Sequence, residues 1–204
     1  MRFSILSSLV GCASAAIVWD GRFNGISSST ALNDWSFSNP VGPYQYYIHG
    51  PSPVTSYVNL GSSFKNPADS GSAQGIKVTL DSTAFWNGQN MRRTELIPQI
   101  APASSIVTGK LFYHFSISRS ATNAPSQFRE HQIAFFESHF TELKSGANSG
   151  QTGADDTLRW AVGGQTKFSV KWEAGVWYNY AYEIVSLFRF LLLINSRRNT
   201  KLQF

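Results

Sequence analysis

Hydrophobic and polar residues alternate with period two along most of this chain, and the alternating runs are cut by glycine- and proline-rich punctuation. A strand turns successive side chains to opposite faces. Residues 76–81 then place Ile76, Val78 and Leu80 inward and Lys77 and Thr79 outward. Residues 109–119 place Leu111, Tyr113, Phe115 and Ile117 on one face and Phe112, His114, Ser116 and Ser118 on the other. Further strands are expected over residues 17–23, 44–49, 57–60, 91–97, 159–163, 166–172 and 177–184, with long loops at 24–43, 61–75 and 144–157. Pro98 closes the strand before it or marks an edge. No stretch carries a helical stripe of useful length. Short strands at this spacing predict an all-β protein, a sandwich or jelly roll.

One run stands apart, at residues 129–140: Arg-Glu-His-Gln-Ile-Ala-Phe-Phe-Glu-Ser-His-Phe. It has strand composition, yet it holds two of the chain's six glutamates and two of its four histidines. Read as a single strand, it puts His131, Ile133, Phe135, Glu137 and His139 on one face. That face is apolar and ionisable together, which suits the floor of a binding cleft.

Composition narrows the class. Aromatic residues make up 14% of the chain and charged residues 14%. Residues 1–15 read as a signal peptide, with Arg2, the short apolar run 3–10 and an Ala13-Ser14-Ala15 cleavage signal. A secreted, extracellular protein is therefore expected. The only cysteine, Cys12, lies in that leader, so the mature chain has no thiol chemistry and no cysteine metal ligand. The net charge of +5 is carried by the ends. Setting aside Arg2, Arg189, Arg197, Arg198 and Lys201 leaves 12 basic residues against 12 acidic ones. Nothing in such a balance asks for nucleic acid or an anionic membrane, and neither is expected as a partner.

After Ile184 the pattern breaks. Acidic residues stop, and residues 187–194 form an apolar run interrupted by Arg189, too short to span a bilayer. Val185-Ser186 can be encoded by GTAAGT, the usual start of an intron. The expectation is a jelly-roll domain over residues 16–184 and an unrelated tail over 185–204, read as a translated retained intron against the alternative of a genuine divergent terminus.

Ordered blocks across residues 16–184 strongly resemble the catalytic domain of glycoside hydrolase family 131, a fungal β-glucanase family. They include Trp19-Asp20-Gly21-Arg22-Phe23, Val41-Gly42-Pro43-Tyr44-Gln45, Tyr47-Ile48-His49-Gly50 and Lys65-Asn66-Pro67-Ala68-Asp69-Ser70-Gly71. Arg93-Thr94-Glu95-Leu96-Ile97-Pro98-Gln99, residues 114–120, residues 130–143, Arg159-Trp160, Gly163-Gly164 and residues 172–177 continue the series. The resemblance implies a β-jelly roll with an open cleft and hydrolysis of β-glucans through β-1,3, β-1,6 or β-1,4 linkages. The family domain continues past the position of Ile184, so the expected fold is a roll lacking its last strands.

Glycoside hydrolysis usually needs two carboxyl groups about the scissile bond. Glu137 is the first candidate, because apolar neighbours such as Phe135 would raise its pKa as an acid requires. Glu95 is the second, because Arg93, two residues away on the same strand face, would hold it ionised as base or nucleophile. His139, about 7 Å along the strand from Glu137, could orient that carboxylate, whereas His131 lies about 20 Å from it on a straight strand. His131 then contacts a distant sugar or simply packs, and the two histidines with Glu137 cannot converge on a metal ion. Trp86, Tyr46, Trp160 and Trp177 are candidate sugar platforms, each weighed against ordinary core packing. No metal and no cofactor are expected. The expected partner is a β-glucan polysaccharide or oligosaccharide, and the expected state a monomer. Two rival readings stand beside a hydrolase: a jelly roll that grips glucan without cleaving it, and an inactive truncated product. A lyase is less favoured, since its cleft should be basic.

Overall fold

The computed structural model describes residues 16–197 except Phe37, Ile48, His49, Trp86, Asn87 and residues 187–189, and leaves the side chains of Tyr46, Tyr47 and residues 190–197 undescribed. The expected leader at residues 1–15 lies outside the described residues. Eleven strands and four short 3-10 turns account for the regular structure among the described residues, with no α-helix, so the all-β expectation holds. Every pairing between these strands is antiparallel. The chain divides into two compact units, Met1–Lys65 with Gly71–Thr108, and Asn66–Ser70 with Gly109–Phe204.

The first unit holds β1 (Tyr44–Tyr47), β2 (Val58–Gly61), β3 (Gly75–Val78) and β4 (Glu95–Pro98). β1 pairs with β4 and β2 with β3. Phe23, Leu32, Trp35, Val54, Tyr57, Val58 and Leu60 form its core. Residues 17–23 do not make the expected strand. Trp19 and Phe23 instead flank one ring, that of Tyr44, edge-on at 5.0 Å and stacked at 5.2 Å. Aromatic packing, rather than a ladder of backbone bonds, fixes this segment. The expected inward set on β3 also fails beyond Ile76, since Val78 is 45% and Leu80 49% exposed. The strand stops at Val78, and Thr79 then bonds back to the carbonyls of Ser56 and Tyr57.

The second unit is a two-sheet sandwich. One sheet orders β11 (Phe190–Arg197), β10 (Tyr178–Val185) and β5 (Lys110–Ile117). The other orders β6 (His131–Phe135), β7 (Thr141–Ser145), β8 (Thr157–Val162) and β9 (Gln165–Lys171). Leu143, Leu158 and Trp160 from one sheet meet Tyr178, Tyr180, Tyr182 and Ile184 from the other in a single core. Leu143 and Leu158 are fully buried, which contributes roughly 1.5–3 kcal/mol each. The inward set expected on β5 packs against this core as Tyr113, Phe115 and Ile117, while Phe112 on the opposite face is exposed. Residues 190–197, set apart by composition, pair with β10 along its whole length, from Val185 opposite Phe190 to Tyr178 opposite Arg197.

The run at 129–140 is not one strand. β6 ends at Phe135, and the chain reverses through Phe136–His139, closed by the His139 N–H donating to the Phe136 carbonyl at 2.7 Å. β7 then returns antiparallel to β6. Period-two patterning runs through this reversal because it contains no glycine, proline or asparagine. His139 takes the left-handed backbone instead, with φ of 52°. Histidine is among the few non-glycine residues enriched there.

Candidate active site

β7 sets the geometry of the most densely ionisable face in the second unit. Thr141, Leu143 and Ser145 point into the core, so Glu142 and Lys144 necessarily point the other way. Glu142 is nevertheless buried, with 5% of its side chain exposed. Its Oε2 accepts from His139 Nδ1 at 3.0 Å and meets Lys144 Nζ at 3.0 Å. Lys144 reaches Glu130 Oε1 as well, at 3.3 Å. Both carboxylates therefore sit on one ammonium group. The other oxygen of Glu130 accepts the Ser149 N–H at 3.1 Å. Burial pushes the Glu130 carboxyl up, but the Ser149 N–H, the Gln132 amide and Lys144 together hold it below its ordinary value.

Beside this row lies Arg159 on β8, nearly buried. Its guanidinium donates to Asp155, to the Gly146 carbonyl at 2.6 Å and to Asn148 Oδ1 at 2.9 Å. A cleft of about 80 Å³ opens among Glu130, Lys144, Asn148, Arg159 and Thr166. The Asp155 carboxylate also accepts from the backbone and hydroxyl of Thr157, fixing the loop that leads into β8.

The residues singled out from sequence fall in different places. Glu137 is an exposed central residue of the β6–β7 turn, not a mid-strand residue, so its straight-strand neighbours Phe135 and His139 no longer flank it on one face. His139 is in the same turn, 45% exposed, stacked parallel on Phe135 at 5.2 Å and bonded to Glu142. His131 starts β6 and packs: its Nε2 donates to the Ser126 carbonyl at 3.1 Å, which assigns the proton to that nitrogen. The 20 Å estimate to Glu137 falls with the straight strand. Trp160 is a core residue rather than a sugar platform, 8% exposed, with its indole N–H on Thr141 Oγ1 at 2.8 Å. Glu95 and Arg93 belong to the first unit, where they are half-buried and pair at 3.4 Å as anticipated. Glu95 opens β4 rather than lying mid-strand. Among the described residues, the Nε of Arg93 and the hydroxyl of Thr94 are buried without a hydrogen-bond partner, so unsatisfied donors precede this carboxylate in sequence. Trp86 and the side chain of Tyr46 lie outside the described residues; the Tyr46 backbone pairs with Leu96.

Sequence reasoning missed Glu142, Lys144, Glu130 and Arg159 as a group. The available signal was the short apolar–charged alternation Thr141-Glu142-Leu143-Lys144-Ser145, masked by reading the preceding run as one strand. Among the described residues, no three histidine, aspartate or glutamate side chains are placed to hold a metal ion.

One consequence is a pH dependence of stability. Burial holds the His131 imidazole below its ordinary value of 6.5, with the Ser126 carbonyl opposing only in part, and burial does the same to His114 on β5. The unfolded chain therefore binds more protons than the native one once the pH drops below about 6.5, and stability falls with pH in that range. His131→Gln is expected to flatten the melting temperature between about pH 7 and pH 5. A variant with the same acid-side slope as wild type would remove His131 from the account.

The second unit is thus a β-sandwich with carboxylates on its outer turns and faces, and comparison with known proteins gives the family. Residues 17–190 match the glycoside hydrolase 131 catalytic N-terminal domain, and the chain belongs to that family. The catalytic domain of a family 131 β-glucanase from Podospora anserina is 62% identical, with a TM-score of 0.83, covering 90% of this chain and 75% of that one. The catalytic domain of the family 131 protein from Coprinopsis cinerea is 46% identical, with a TM-score of 0.81 and the same coverage. No curated protein sequence matches.

Proposed function

We propose that the protein is a secreted β-glucan hydrolase, acting on β-1,3, β-1,6 or β-1,4 linkages, with Glu137 and Glu95 as its two carboxyl groups. The observation that carries this reading is 62% identity over nine-tenths of the chain to a β-glucanase catalytic domain. Each carboxylate is supported by its own surroundings. Glu137 projects from a tight turn, where a polysaccharide can reach it without displacing packed side chains. Glu95 has the Arg93 guanidinium at 3.4 Å to favour its ionised form, the state a base or nucleophile needs. The sandwich of the second unit and the family membership support a jelly roll. The leader-like pattern of residues 1–15 supports secretion, with the mature chain starting at Ala16.

The test is release of new reducing ends from β-1,3-, β-1,6- and β-1,4-glucans by the wild-type chain and by Glu95→Gln. Wild type is expected to hydrolyse at least one of them, and the variant to lose on the order of 10²–10⁴-fold in kcat. Retention on glucan without any new reducing ends would replace the hydrolase with a binding module.

A further inference from the structure

We infer that Glu142 is a positioning residue for this hydrolysis: its buried carboxylate holds the His139 imidazole in the turn that carries Glu137. The inference rests on the hydrolase reading and deepens it.

The turn is costly where His139 closes it. A side-chain-bearing residue at φ of 52° lies in a sparsely populated region and persists only when its surroundings over-determine it. Three contacts do so. The His139 N–H closes the turn on Phe136, its ring stacks on Phe135, and its Nδ1 meets Glu142. The last is the informative one, because it engages a buried charge.

Neutralising Glu142 does not require His139. Lys144 already sits 3.0 Å from the same oxygen, and Lys144 is itself anchored by Glu130. These three groups form a charged row that runs from the residue before β6 onto β7. His139 is an addition at its end, at the one point where the row reaches the exposed turn. A carboxylate oxygen accepts, so Nδ1 must carry the proton. A neutral imidazole then keeps Nε2 as an acceptor, on a ring that is 45% exposed and two residues from Glu137. Glu142 thus sets both the tautomer and the ring orientation. The arrangement presents a fixed acceptor nitrogen where a sugar hydroxyl or the Glu137 carboxyl can use it.

The charged groups packed around the imidazole are Glu142 and, behind it, Lys144 and Glu130. A merely structural Glu142 would matter for stability and leave the chemistry alone.

Glu142→Gln and His139→Asn separate the two cases. Gln keeps the shape of the buried side chain, and Asn tolerates the left-handed backbone while removing the ring. On a soluble β-glucan oligosaccharide, both are expected to lower kcat on the order of 10- to 100-fold, as loss of an orienting carboxylate does elsewhere, with KM within about twofold. The double variant should be no slower than His139→Asn alone, since the two residues act as a unit. In wild type, the His139 ring should show a protonated, hydrogen-bonded Nδ1 by nitrogen-resolved NMR. The NMR readout applies whichever glucan is cleaved and covers the case where Glu142→Gln folds poorly. An unprotonated Nδ1 in wild type, unchanged kcat in His139→Asn, or losses that multiply in the double variant would each overturn the inference. A Glu137→Gln control run alongside distinguishes the failures. Full turnover there with impaired His139→Asn sinks the Glu137 assignment alone, and the reverse pattern sinks the positioning role alone.

Discussion

Glu137→Gln is expected to abolish most glucan hydrolysis, lowering kcat on the order of 10²–10⁴-fold, while glucan affinity stays within about threefold of wild type. Glu137 is exposed and has no tertiary hydrogen bond or ion pair among the described contacts, so folding does not depend on its charge. An exposed substitution of this kind moves stability by no more than about 0.5 kcal/mol. Glutamine retains the size and hydrogen-bonding reach of the side chain but can neither donate a carboxylic proton nor attack as a carboxylate. A fall in kcat with unchanged melting temperature is therefore a statement about chemistry. Parallel measurement of kcat, KM and thermal midpoint decides it. If Glu137→Gln turns over normally, the reaction draws its carboxyl group from elsewhere, and the turn serves only to bind or to close the hairpin.

The strands of the second unit were largely legible because their periodicity faces a real core. On β5 the alternation ending at Ile117 is the alternation the structure buries, and on β10 the tyrosines at 178, 180 and 182 fall on one face as period two requires. Legibility failed where something other than a buried sheet face organises the chain. Trp19 and Phe23 suggested a strand, but they are spaced to clasp Tyr44. Val78 and Leu80 had the right spacing but remain largely exposed. The reversal at residues 136–139 was invisible because its left-handed position is filled by histidine, where turn rules look first for glycine or asparagine.

The candidate site shows the same division. The ion pair of Arg93 with Glu95 is local in sequence and was readable from two-residue spacing. The pairing of Glu142 with His139 is also local, three residues apart, but it depends on a turn and not on a strand. Lys144 with Glu130 and Arg159 with the Gly146 carbonyl need the register of β6, β7 and β8, which no single-strand pattern contains. Trp160 illustrates the opposite error: indole chemistry suits a sugar platform, yet its inward position on β8 commits it to the core.

That register makes Gly146 the position where one methyl group should cost most. Gly146 follows β7 with φ of 76°, a backbone conformation that costs a residue bearing a Cβ about 1–2 kcal/mol. A Cβ there would also collide with the Arg129 carbonyl oxygen and lie 2.8 Å from that of Ser126. Neither atom belongs to a flexible side chain that could swing aside. The same peptide is pinned from its other side, since the Gly146 carbonyl accepts from buried Arg159 and the neighbouring Ala147 N–H donates to Gln127. Relief would have to come from moving the 126–129 segment, and with it Glu130 and the charged row on β7. Gly146→Ala is therefore expected to destabilise the protein by roughly 3 kcal/mol or more, a fall of about 6–12 °C in melting temperature for a chain of this size. Gly150→Ala is the matched control. Its φ of 82° carries the same conformational penalty, but nothing lies within 4 Å of the added Cβ. The difference between the two variants isolates the collision. Equal melting temperatures would mean that the 126–129 segment yields freely, and that the backbone beneath the charged row is not held as rigidly as these contacts require.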